Sequence, residues 1–257
     1  GVAVQLLGNI EVSQEIDLVA THGGEGVGLY RTEFLQLERP DIRSHLDHYE
    51  VYRDMVRALG GRPVTIRTLD VGGDKADLSL AARASSSGGG RASSGDGSGH
   101  DNPALGLRAI RLSLRDRSRF REQLKGILLA SAHGPVRLMI PFVTSLEEVR
   151  EVRAELETVQ EDLTVEGRRF DPALPLGLMV ETPACALLAE RFAKECDFFA
   201  IGTNDLIQYL LATDRANDEV AYLYRPAHPA LLRLIGLVAR AGAAHDIPVS
   251  VCGEMAA

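Results

Sequence analysis

The 257-residue sequence has no tryptophan, three cysteines and only 5 % aromatic residues. Cys185, Cys196 and Cys252 are odd in number and match no zinc spacing, which argues against both a disulfide framework and a thiolate metal site. Reduced thiols of this kind suit a cytoplasmic protein. No apolar run approaches the roughly 20 residues that a membrane-spanning helix needs, and no signal-peptide pattern opens the chain. A basic surplus is also missing. Against 36 Asp and Glu there are 28 Lys and Arg, a net charge of −8 that argues against a nucleic-acid surface as the main business.

What is present is a globular balance, 45 % apolar and 25 % charged, with ample material for a core. Short apolar runs recur in order: "VAVQLLGNI", "GVGLYRTEFL", "RPVTIRTLDVGG", "VRLMIPFV", "PLGLMVETP", "DFFAIGTND" and "IPVSVCGE". Helical patterns lie between them, an alternation that predicts a parallel sheet covered by helices. Asn102 with Pro103, Ser145 with Glu148, and Thr182 with Pro183 read as helix starts. The first pair predicts a helix running on through "ALGLRAIRLSLRDRSRFREQLKGILLASAHG".

Seven strands are one short of a closed (β/α)8 barrel. The chain opens on Gly1 and stops just after the seventh run. The expectation is therefore one α/β domain over residues 1–257, a TIM-type barrel truncated before its eighth strand and excised from a longer protein. An open doubly wound sheet is the alternative, disfavoured because no G-x-G-x-x-G turn follows the first strand. One stretch breaks the rhythm: "ASSSGGGRASSGDGSG", residues 84–99, holds six Ser and six Gly. Such a composition buries too little apolar surface to offset ordering and predicts a flexible loop inserted in the barrel.

Barrel active sites assemble at the carboxyl ends of the strands. Those ends deliver Arg31 and Glu33, Arg67 and Asp70 followed by Gly72-Gly73-Asp74-Lys75, then Glu181, Asn204, Asp205 and Cys252, with Arg215 after the sixth helix. Arginine forks grip phosphate oxygens in bidentate fashion, and Lys75 adds a point charge. Glu181 and Asp205, from neighbouring strands, suit a hard divalent cation such as Mg²⁺. A phosphate clamp beside a metal is what phosphoryl transfer requires. Structural readings compete at each position: Asp205 as a helix cap, Arg31 with Glu33 as a rim ion pair, Cys252 as a small buried hydrophobe, and Gly72 and Gly73 as a turn.

The blocks "GVGLYRTEFL", "TIRTLDVGGDK", "NPALGLRAIR", "MVETPA", "FFAIGTNDLIQYLLATDRAND" and "VCGE" resemble, in order and over nearly the whole chain, the C-terminal phosphoenolpyruvate-binding domain of Enzyme I. That family comprises the phosphoenolpyruvate–protein phosphotransferases of the bacterial sugar phosphotransferase system. The resemblance implies that Arg31, Arg67 and Lys75 hold the phosphoryl group, that Glu181 and Asp205 bind Mg²⁺, and that Asn204 and Arg215 hold the substrate carboxylate. Cys252 would protonate the enolate carbon as pyruvate forms, with Arg31 and Arg67 as its catalytic companions. The acceptor in the family is a histidine on a separate N-terminal domain, which passes phosphate to the phosphocarrier protein HPr. The seven histidines of this chain lie outside the matching blocks. The resemblance thus implies a piece that binds Mg²⁺–phosphoenolpyruvate but cannot complete the transfer alone, and that forms a homodimer in the intact protein. Three other readings stand beside it: a domain like that of pyruvate phosphate dikinase or phosphoenolpyruvate synthase, a Mg²⁺-dependent pyruvate lyase, and a phosphoenolpyruvate-sensing or dimerisation module.

Overall fold

A computed structural model describes residues 3–39, 42, 44–71 and 104–256. Lys75, the expected loop at 84–99, the glycines at 72 and 73, and the Asn102–Pro103 helix start lie outside the described residues.

All seven expected strands form: β1 (Gly8–Ile10), β2 (Val27–Arg31), β3 (Val64–Arg67), β4 (Val136–Ile140), β5 (Leu176–Val180), β6 (Phe198–Gly202) and β7 (Val249–Cys252). They pair in parallel in strict chain order, β1 through β7. Sequential order without a reversal is that of a barrel wall rather than a doubly wound sheet, whose strand order turns back at a switch point. The wall is left open between β7 and β1. Every residue of β3, β5 and β6 is buried, whereas none of β7 is and Val251 is 41 % exposed. The central strands have neighbours on both edges and helices outside, so they read as continuous apolar runs.

Helices α1 (Ile16–Thr21), α2 (Thr32–Glu38), α3 (His45–Ala58), α4 (Ala109–Arg115), α5 (Arg117–Ser131), α6 (Leu146–Val165), α7 (Pro183–Leu187), α8 (Ala189–Phe192), α9 (Thr203–Leu211) and α10 (Pro229–Ala244) fill the connections. Ser145 caps α6 in a capping box with Glu148, and Thr182 caps α7 with Pro183 at its start, both as expected. One expected helix is corrected. Residues 104–107 form turns, Arg108 is extended at φ −144° and ψ 167°, and helical structure begins only at Ala109. The helix then breaks at Asp116, whose carboxylate accepts from the Arg119 N–H to start α5 afresh. A straight helix from Pro103 would turn Arg108 along the helix surface; the extended backbone sends it inward instead.

Between the wall and the helices lies the main core, in which Tyr30, Tyr52, Ile66, Leu138, Phe192 and Phe199 are almost wholly buried. A smaller cluster of Leu29, Met139, Met179, Phe198 and Ala200, with Cys252 packed against it, fills the inside of the wall. It forms the floor on which the candidate site rests. No helix among the described residues is long and apolar enough to cross a membrane.

Candidate functional site

A cavity of about 750 Å³ opens at the carboxyl ends of the strands. Arg31, Arg67, Glu181, Asn204, Asp205, Arg215 and Cys252 all line it, joined by Asp70, Arg108 and Met179. The cationic groups of two early strands and the acidic groups of two later ones therefore surround one space.

Arg67 ends β3 and is nearly inaccessible. Its Nη2 donates to Glu33 Oε1 at 2.6 Å and lies 3.3 Å from Asp70 Oδ2, while Nη1 reaches the Met179 sulfur at 3.3 Å. Burial opposes its charge, but Glu33, Asp70 and Glu181 outweigh that and hold the guanidinium protonated. Glu33 thus pairs with Arg67, not with Arg31. Arg31 bonds Glu11 instead, and its guanidinium lies over the Phe34 ring, 5.3 Å from the centroid. The competing reading of Arg31 with Glu33 as a rim ion pair does not hold: Glu33 sits in the first turn of α2 and pairs with the neighbouring strand's Arg67. The buried Nε atoms of Arg31, Arg67 and Arg108 have no hydrogen-bond partner among the described residues. Orphaned cationic donors around a cavity suit an anionic ligand with several oxygens.

The acidic half holds three buried carboxylates rather than two. Asp70, Glu181 and Asp205 each present an oxygen within 4.8 Å of the others. Such a cluster of hard oxygen donors fits Mg²⁺, which takes carboxylates and completes its shell with water and substrate. Burial, then the Asp205 and Asp70 charges, push the Glu181 carboxyl up to about 8. Phe142, in the left-handed conformation at φ 61°, turns its N–H onto Glu181 Oε1 at 2.6 Å.

Asp205 does not cap its helix. The residue before α9 is Gly202, with no side-chain cap, and Asp205 lies within the first turn, where the helix dipole favours a carboxylate. Its Oδ2 accepts from Arg108 Nη2 at 3.1 Å, and its Oδ1 lies 4.0 Å from Arg215 Nη1. Asn204 Oδ1 accepts from the Glu254 N–H at 3.0 Å, tying α9 to the turn after β7. That turn includes Gly253 at φ 95°, where an added Cβ would meet Asn204 Oδ1 at 2.6 Å.

Cys252 closes the ring at the end of β7. Its thiol lies 3.4 Å from the Ile201 carbonyl oxygen, and burial followed by the Glu181 charge push it up to about 11. The residue lines the cavity as well as packing on the apolar cluster beneath it.

Sequence reasoning missed Arg108. Its Nη2 bonds Asp70 Oδ1 at 2.9 Å as well as Asp205, its Nη1 bonds the Tyr209 hydroxyl at 3.0 Å, and its guanidinium stacks on Phe142 at 4.6 Å. Burial opposes its charge, and Asp70 and Asp205 more than restore it. Asp70 was visible three residues beyond Arg67; Arg108 lies in the block "NPALGLRAIR", which carries the family resemblance, but its helical reading kept it from being singled out.

The family model for the PEP-binding domain of PEP-utilising enzymes matches residues 1–257. Relatives named phosphoenolpyruvate-protein phosphotransferase include that of Priestia megaterium, 42 % identical over 255 residues covering 98 % of this chain and 42 % of the relative. That of Staphylococcus aureus is 43 % identical over 256 residues, 100 % of this chain and 42 % of the relative. The chain thus spans well under half the length of these relatives. Among solved structures, an HpcH/HpaI aldolase/citrate lyase family protein from Burkholderia cenocepacia is 13 % identical, with a TM-score of 0.51 over 98 % of this chain and 80 % of that one. That likeness is one of fold. Whole-chain agreement with the family model, at identities above 40 % to its named relatives, settles the family: this chain belongs to the PEP-utilising enzymes, as their PEP-binding domain.

Proposed function

We propose that this chain is the phosphoryl-donor half of a phosphoenolpyruvate–protein phosphotransferase of the sugar phosphotransferase system, a single barrel domain over residues 1–257 with an insertion at 84–99. The observation that carries the reading is the convergence of Arg31 and Arg67 with Asp70, Glu181 and Asp205 on one cavity. A pyruvate lyase needs one cation for a carboxylate and has no use for a second guanidinium with an orphaned donor.

In this reading Arg31 and Arg67, with Lys75, hold the phosphoryl oxygens and stabilise the charge that spreads over them in transfer. Asn204 and Arg215 hold the substrate carboxylate, and Glu181 and Asp205 hold Mg²⁺. Bound there, Mg²⁺ supplies charge neutralisation for the phosphoryl and carboxylate oxygens. The phosphorus–oxygen bond breaks as a bond forms to a histidine nitrogen on a separate N-terminal domain. The departing enolate takes a proton at its methylene carbon from the Cys252 thiol, giving pyruvate, and water reprotonates the thiolate. Further transfer to HPr, a homodimer in the intact protein and a cytoplasmic location follow from the same reading.

Calorimetry with Mg²⁺ tests it. Phosphoenolpyruvate should bind far more tightly than pyruvate and only with the cation. Equal affinity for the two, or no need for the cation, would overturn the assignment. Adding a separate phosphohistidine domain should turn binding into pyruvate release.

A further inference from the structure

One nitrogen, Arg108 Nη2, bonds Asp70 Oδ1 at 2.9 Å and Asp205 Oδ2 at 3.1 Å. These are two of the three carboxylates that fit a divalent cation, so the guanidinium stands between oxygens that the cation needs. The same guanidinium has further partners that anchor it in this bridging position. Its Nη1 donates to the Tyr209 hydroxyl at 3.0 Å, its plane lies over Phe142, and Tyr209 is in turn anchored on the Ala104 carbonyl. Ala109, next in the chain, has φ 49°, a conformation that L-residues adopt at a cost and that surrounding structure must maintain.

We propose that Arg108 is a positioning residue that holds the place of the cation, bridging Asp70 and Asp205 until the metal enters and displaces it from their oxygens. The inference rests on the cation reading above. Buried carboxylates this close repel one another, and without a cation they would splay or take up protons. The bridge keeps them assembled. Mg²⁺ draws its oxygens in to about 2.0–2.1 Å, however, so the oxygens now near 3 Å from nitrogen must close on the metal instead. A guanidinium left between them would then face a divalent charge at contact distance in a poorly screened site. The two cations therefore compete for the same oxygens. A purely structural ion pair predicts the opposite, since its removal would loosen the carboxylates and weaken metal binding.

The test is Mn²⁺ binding to the full chain without phosphoenolpyruvate, read by calorimetry and by the electron-spin signal of free Mn²⁺. Arg108→Met should bind Mn²⁺ roughly ten-fold or more tightly than the natural chain. It should melt lower without metal and gain more on Mn²⁺ addition. Tyr209→Phe, which removes a hydroxyl that anchors the bridging guanidinium, should bind Mn²⁺ several-fold more tightly. Unchanged or weaker binding by Arg108→Met overturns the proposal; if that variant does not fold, an unchanged or weaker affinity in Tyr209→Phe does so. Glu181→Gln separates the two levels. If it binds Mn²⁺ as the natural chain does, the cation reading itself falls; if it loses Mn²⁺ while Arg108→Met gains nothing, only the placeholder role falls.

Discussion

Glu33 and Arg67 form an ion pair of 2.6 Å in which the side chains are 2 % and 6 % exposed. Burial takes both charges out of water, so the pair is weak evidence of net stabilisation, but breaking it strands an uncompensated guanidinium. Asp70, at 3.3 Å from the same nitrogen, offsets part of that loss. Glu33→Ala should cost about 3 kcal/mol of unfolding free energy, measured by urea titration. A change within the range of an ordinary surface substitution would mean that Asp70 alone suffices.

Cys252 touches the apolar floor on one side and the cavity on the other. Its replacement by alanine removes the proposed proton donor while leaving the arginines and carboxylates in place. Phosphoenolpyruvate affinity should change little, whereas pyruvate release in the intact protein should fall by roughly 100-fold or more. Collapse of binding together with turnover would instead assign the thiol a structural role.

Glu181 and Asp205 are predicted to be separable from the fold. Asp205→Asn keeps the volume and the position in the first turn of α9, yet removes a charge from the cation cluster. Loss of even an indirect metal partner costs about 10–100-fold in affinity, so loss of Asp205 as the proposed direct ligand should cost at least as much. Mn²⁺ titration paired with a melting curve distinguishes a lost ligand from a lost fold.

His48 gives the stability a pH dependence remote from the cavity. It is 3 % exposed, stacks on Tyr52 and shares a hydrogen bond with its hydroxyl. Burial first, then Arg119, lower its pKa from 6.5 to about 4, against the opposing pull of Asp47 and Glu122. The unfolded chain therefore takes up a proton that the folded chain refuses. The stabilisation is fully present above pH 6.5 and is lost as pH falls toward 4, by an amount on the order of 3 kcal/mol. Thermal melts across that window should show the decline, and His48→Gln should flatten this part of it. An equally steep profile in the variant would assign the acid sensitivity to the carboxylates.

Much of the architecture was legible because parallel barrel strands are buried on both faces. Runs such as "VRLMI" and "FFAIG" then stand out from amphipathic helices without any knowledge of their neighbours. The caps at Ser145 and Thr182 were legible for a similar reason, since capping chemistry lies within three or four residues. Arg31, Arg67, Glu181, Asn204, Asp205 and Cys252 could be nominated because a strand's carboxyl end is itself a local feature.

What failed to show locally was decided across the fold. The sequence by itself determined the seven strands and the strand ends that carry the charged side chains, because each depends on the pattern within one segment, whereas the order of the strands in the wall was decided by pairing between segments. Only the tertiary structure decided the partners: Arg31 with Glu11, Glu33 with Arg67, and Arg108 between Asp70 and Asp205. Arg108 lies 38 residues after Asp70 and 97 before Asp205, and its backbone leaves the helical pattern to reach them. A side chain's helical surroundings in sequence cannot report partners on two other strands' ends, because those ion pairs exist only once the wall has brought the carboxylates within hydrogen-bonding distance.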